Sequence, residues 1–166
     1  MRKGRARQDD MTGRIDYRLQ ELGLRLPAVA TTAGDYMPWQ RTGNLVVISG
    51  QLPFGEGGII RHKGCIGADL SLEEGYAAAR LCGLNLIAHL QMACDGDLDR
   101  VQQVVRLGGF VACGADFTDQ PKVINGASDV MVAVFGEAGR HARAAVGVSA
   151  LPLGAAVEVE GLFAVI

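Results

Sequence analysis

The chain has 166 residues, nearly half of them apolar, with a formal net charge of −2 and a pI near 5.9. That length fits one domain of common size. The charge argues against a nucleic-acid binder working through a broad basic surface, and no window approaches the ~20 apolar residues of a membrane span.

Residues 1–13 read as a disordered leader, and 14–166 as a single domain. Arg2, Lys3, Arg5 and Arg7 are basic, but no apolar stretch follows them, so they are not a secretory signal. Met11 offers an alternative start. Residues 14–24 predict a short helix, with Ile15, Leu19 and Leu22 at helical spacing and Gly23 as its stop. Pro27 opens an extended stretch, and Gly43-Asn44 is a turn signal before the short β-branched run Leu45 to Ile48. The chain is expected to bend at Ser49-Gly50-Gln51.

Residues 71–93 carry the clearest helix signal. Ser71 and Glu74 form a capping box, and Leu72, Tyr76, Ala79, Leu86, Leu90 and Ala93 mark one apolar face. Val101 to Ala112 reads as a long strand with a bulge at Gly108-Gly109. A second long helix is expected over 121–135, capped by Thr118 or Asp119 and ended by Gly136 and Gly139. The tail reads as two strands, 143–149 and 155–166, around the turn Leu151-Pro152-Leu153-Gly154. In the last strand Val157, Val159, Gly161, Phe163 and Val165 share one face, and Glu158, Glu160, Leu162, Ala164 and Ile166 share the other. This order suits an α+β fold with two helices on one face of a mixed β-sheet. Both faces of the last strand are largely apolar, so the face the helices leave open calls for another copy of the chain.

Cys65, Cys82, Cys94 and Cys113 form no C-x-x-C pair, and His62, His89 and His141 complete no metal pattern. They read as reduced thiols of a cytoplasmic protein, with no metal site. Arg143 begins a strand of small residues, which leaves room beside a guanidinium suited to gripping a carboxylate in a bidentate fork; a structural ion pair or an exposed strand end is the other reading. Glu158 and Glu160 are costly in an apolar strand unless paired or at a site, and either could hold and deprotonate a water. Ser49-Gly50-Gln51 offers backbone amides for an anion. A nucleophilic serine is also conceivable there, but no G-x-S-x-G elbow surrounds it. Tyr36, Trp39 and Phe117 are candidate wall residues, with ordinary packing as the alternative for each.

The order of these pieces is recognisable. Gly34-Asp35-Tyr36, then Gly43 to Pro53 with Ser49-Gly50-Gln51, then Ala142-Arg143-Ala144-Ala145-Val146, Leu151-Pro152 and Val157-Glu158-Val159-Glu160-Gly161 resemble the trimeric imine-deaminase family, also called YjgF/YER057c/UK114, over about residues 28–166. With Gly67 to Ser71 and Asn125 to Asp129, the chain is similar to a longer branch of that family. The resemblance implies a chorismate-mutase-like fold, a homotrimer with a central barrel, and clefts between subunits. It also implies that Arg143 holds a substrate carboxylate and that Glu158, favoured over Glu160 by its spacing from Arg143, positions a water. Backbone amides near Gly50 and Ala145 would bind the ligand, with Tyr36 lining the cleft from a neighbouring subunit.

The chain departs from the common form with Asp35 in place of a Pro and Ala145 in place of a frequent Cys. The expected activity is hydrolysis of reactive 2-imino acids to 2-keto acids and ammonia, with no cofactor. The alternatives are a non-catalytic trimer that binds small carboxylates and, further behind, an endoribonuclease.

Overall fold

The structure, a computed structural model, describes residues 13–29 and 35–166. Apart from Gly13, the expected leader therefore lies outside the described residues, as do Met11 and Gly34.

Helix α1 runs over Arg14–Glu21. Gly13 precedes it and has no side chain to cap it, so Asp99 does so from afar, accepting from the backbone N–H of Arg14 and of Ile15 at 2.8 Å each. Gly23 ends the helix at a positive φ, and Leu24 N–H closes back on the Leu19 carbonyl. Ile15 and Leu19 are buried, so α1 joins the core as a third helix beside the two long ones.

Strand β1 (Trp39–Thr42) and strand β2 (Leu45–Gln51) form a hairpin around Gly43-Asn44. Helix α2 (Leu72–Ala93) starts at the predicted capping box: Ser71 Oγ accepts from Glu74 N–H while the Glu74 carboxylate accepts from Ser71 N–H. Strand β3 spans Val101–Ala112, helix α3 Gln120–Phe135, strand β4 Ala142–Val148 and strand β5 Val157–Val165. Asp119 stands at the start of α3, but its carboxylate pairs with Lys122 at 3.1 Å instead of capping.

The five strands lie in the order β1-β2-β5-β3-β4, with β3 and β4 parallel and the other pairs antiparallel. The two tail strands, consecutive in sequence, do not pair. The crossover through α3 sets β4 on the outer edge of β3, and β5 takes the inner edge, as a parallel strand–helix–strand unit allows. One face of β5, from Val157 to Val165, is buried under the helices. On the other face Val47 and Val146 remain 49% and 47% exposed, with Phe110 and Leu162 half-buried between them.

Three local expectations are corrected. The bend at Ser49-Gly50-Gln51 does not end β2: the strand continues, and its pairing with β5 shifts register between Ile48 and Gln51. Gly108-Gly109 is not a bulge, since both pair regularly with Glu160 and Val159; the irregularities of β3 lie earlier, between Val101 and Arg106. The glycines serve close packing instead. A Cβ on Gly108 would meet the Glu160 carboxylate at 2.7 Å, and one on Gly109 would meet Ile124 at 2.6 Å. Third, α2 is not buried along one face only: every residue from Cys82 to Leu90 is buried. The sheet, α3 and the 54–58 loop enclose it, and Asn85 donates to the Phe54 carbonyl at 2.9 Å. No helix among the described residues is long and apolar enough to cross a membrane.

Candidate active site

The register of the sheet sorts the candidate residues into separate places. Glu158 stands opposite Phe110, which stands opposite Val146, so all three lie on the open face. Gly50 lies directly beneath the Glu158 carboxylate: a Cβ there would collide with Oε1. The register shift in β2 is what turns this backbone toward β5. Gln51 holds the irregularity from within, donating from Nε2 to the Ser49 carbonyl at 3.0 Å. Ser49 Oγ donates to the Met37 carbonyl at 2.8 Å, and Ser49 N–H bonds Pro38. That hydroxyl straps the 36–38 loop to β2, and the loop carries Tyr36, 55% exposed, to the rim of the same strand.

The geometry distinguishes the two glutamates. Glu160 pairs with Arg106 at 3.4 Å. Glu158 has no hydrogen-bond or ion-pair partner among the described residues. Burial, and then the nearby Glu160 charge, push its carboxyl above the ordinary carboxylate range. Behind the sheet, burial pushes the Cys82 thiol well up, as suits an inert core cysteine.

Arg143 occupies different ground. It stands opposite Leu107, a core residue, so its side chain leaves β4 on the helix side. There α3 receives it: Nη1 donates to Asn125 Oδ1 at 2.9 Å and to Ser128 Oγ at 3.0 Å, and Nη2 donates to the Pro121 carbonyl at 3.2 Å. Asn125 and Ser128 are one turn apart on the same face of α3. None of these partners is charged, and no ion pair among the described residues involves Arg143. A guanidinium has five N–H donors. Three are engaged; Nε–H and one Nη2 hydrogen have no partner among the described residues. Nε and Nη2 flank one edge of the planar group, the edge that a carboxylate accepts in a two-pronged fork.

Ala145 lies two residues along β4 on the same side as Arg143, opposite Gly109. Phe117 is farther off, in the loop before α3. It packs on Gly67 and lines a cavity of about 400 Å³ with Cys113, Gln120 and Gly147. One chain therefore unites Gly50 with Glu158, and Arg143 with α3, but does not unite the two groups. β5 and β3 separate β2 from β4, a lateral distance of roughly 14 Å at about 4.8 Å per strand.

Asn125, Ser128 and His141 were not among the candidates read from sequence. The spacing of the first two on α3, and of His141 two residues before Arg143, was the available signal.

Helices packed on one face of this mixed sheet make a chorismate-mutase-like α+β fold, here with Arg143 on the edge strand β4. The family described as "YjgF/chorismate_mutase-like, putative endoribonuclease" matches residues 16–166, and the chain belongs to it. It is 50% identical over 153 residues to Protein TCP17 of Trypanosoma cruzi, covering 91% of this chain and 94% of that one. Among solved structures it is similar to a protein of unknown function from Agrobacterium tumefaciens, with a TM-score of 0.84 and 43% identity over 92% of this chain and 93% of that one. It is also similar to RidA from an Antarctic Psychrobacter, with a TM-score of 0.57 and 31% identity over 82% and 94%.

Proposed function

We propose that the protein is a cofactor-independent hydrolase that converts reactive 2-imino acids to 2-keto acids and ammonia. The observation that carries this reading is Arg143: a cation fixed by three neutral acceptors, with no carboxylate partner among the described residues and with Nε–H and one Nη2 hydrogen still unengaged. A 2-imino acid presents its carboxylate next to the electrophilic carbon, so an arginine that grips the one positions the other. Membership in the same family as RidA supports hydrolase chemistry.

The separation of Arg143 from Gly50 and Glu158 supports a site assembled between chains. In this reading three copies cover one another's open sheet faces. Each cleft takes Arg143 and Ala145 from one copy and Gly50 and Glu158 from its neighbour. Tyr36 and Phe117 form its walls. Water held by Glu158 attacks the imine carbon and gives its proton to the carboxylate. The nitrogen receives both protons of that water, the second as the adduct's hydroxyl becomes the keto oxygen, and the C–N bond breaks to release ammonia. A carboxyl held above its ordinary range is a better base once ionised, and can return the proton to the departing nitrogen. The reaction belongs in the cytoplasm, in keeping with four unpaired cysteines.

The test follows imine decay, with the imine generated in place by an amino-acid oxidase, and measures ammonia and keto acid directly. The wild type accelerates decay; Arg143→Ala and Glu158→Gln each do not. Mixed one to one and reassembled, the two inactive variants recover roughly a quarter of the wild-type rate, because one cleft in four draws an intact residue from both neighbours. No acceleration with any small, acidic or aromatic side chain would move the assignment to a carboxylate-binding trimer. Salt-sensitive RNA cleavage would move it to a nuclease.

A further inference from the structure

With a neutral imidazole at His141, the hydrogen bonds behind Arg143 have one direction. The Gly139 carbonyl can only accept, so His141 Nδ1, 2.6 Å away, carries the hydrogen. Arg143 Nη1 can only donate, so Ser128 Oγ accepts from it at 3.0 Å. Ser128 then turns its own hydrogen to His141 Nε2 at 2.9 Å, where a neutral imidazole offers its lone pair. The chain runs one way, from guanidinium to hydroxyl to imidazole to backbone carbonyl. Its anchor is rigid: Gly139 is buried, and a Cβ there would collide with the Met131 carbonyl of α3.

We propose that Ser128 and His141 are positioning residues that fix the plane of Arg143 and aim its Nε and Nη2 edge at the substrate carboxylate. Asn125 and the Pro121 carbonyl hold the guanidinium along α3, but neither dictates which way the Ser128 hydroxyl points. His141 does, because in this tautomer it leaves the hydroxyl one acceptor and frees the oxygen for Arg143. An imidazole with its hydrogen on Nε2 would lose the bond to Gly139 and turn a donor on Ser128. The inference rests on the carboxylate-gripping role of Arg143 given above, and it adds a directional support behind that grip.

Nitrogen NMR of the ligand-free protein is the first test, with the His141 signals assigned through His141→Gln. Hydrogen on Nδ1 and a bare Nε2 are expected in the neutral imidazole; hydrogen on Nε2 overturns the relay whether or not the protein hydrolyses imines. Kinetics follow. Ser128→Ala and His141→Leu each raise KM for the imino acid about tenfold with kcat little changed. Ser128→Thr and His141→Gln, which keep the hydroxyl and the acceptor, hold the wild-type KM. The double variant Ser128→Ala/His141→Leu is no worse than either single one, since both break the same chain. A wild-type KM in His141→Leu, or full additivity in the double variant, overturns the proposal. Pyruvate affinity measured across the same variants reads the aim of Arg143 without turnover. Absent hydrolysis therefore sinks the proposed reaction, while the relay is still judged by tautomer and affinity.

Discussion

The two halves of the candidate site are built by opposite means. Around Glu158 the backbone does the placing. A register shift in β2 brings Gly50 under a carboxylate that no side chain holds, in a spot with room for no extra atom. Around Arg143 side chains do the placing: three acceptors on α3 hold a long, flexible cation at the sheet edge. The first half leaves its charged group unpaired and shifted toward protonation, while the second saturates part of a group that stays charged. A base needs an unsatisfied lone pair and a clamp needs a fixed plane, so each construction suits a different task.

The contrast predicts that the β2–β5 half tolerates no added bulk. Gly50→Ala is expected to have the largest effect, reducing imine hydrolysis to the uncatalysed rate, because its methyl takes the place of the Glu158 carboxylate. A normal oligomer with normal turnover would refute that packing argument. Glu158→Gln follows, lowering kcat by about 10²–10⁴ while ligand affinity is retained. The same substitution should raise thermal stability at neutral pH. A carboxyl whose folded pKa is raised favours the fold most below its ordinary value of 4.5. It loses that advantage as pH rises through the raised value, and glutamine has no such loss.

The edge half should degrade more gently. Arg143→Lys keeps a charge but loses the fork and the grip of α3, and KM is expected to rise on the order of tenfold to a hundredfold. An unchanged KM would mean that the fork is not used. Glu160→Gln should have the smallest effect. Turnover in the wild type rises with pH as Glu158 ionises, with an acidic limb above the ordinary carboxylate range. Removing the Glu160 charge moves that limb to lower pH, but not to the ordinary position, because burial is the larger cause. The plateau rate stays the same, and an unmoved limb would assign the whole shift to burial.

Much of the fold was legible because its signals are local. The capping box at Ser71, the stop at Gly23 and the alternation of β5 each lie within a few residues. The insertion of β5 between β2 and β3 was not, since it pairs residues 46 to 119 positions apart. The full burial of α2 was hidden for a similar reason: an amphipathic stripe reports one neighbour, and this helix has three. In the site, Arg143 and the glutamates stood out as charges in apolar strands. What they touch did not, because Asn125 and Ser128 are 18 and 15 residues from Arg143. That two strands separate Gly50 from Arg143 followed only from the sheet order, and that Glu158 and Arg143 leave opposite faces only from the register.

The two strands that stand between Gly50 and Arg143 also bear on how much of the protein a cell must contain. In the inter-chain arrangement proposed above, a newly made, solitary chain would do nothing. The protein's output would rise faster than in proportion to its abundance at low levels, and would settle to simple proportion once assembly is complete. Dilution would switch it off without unfolding it.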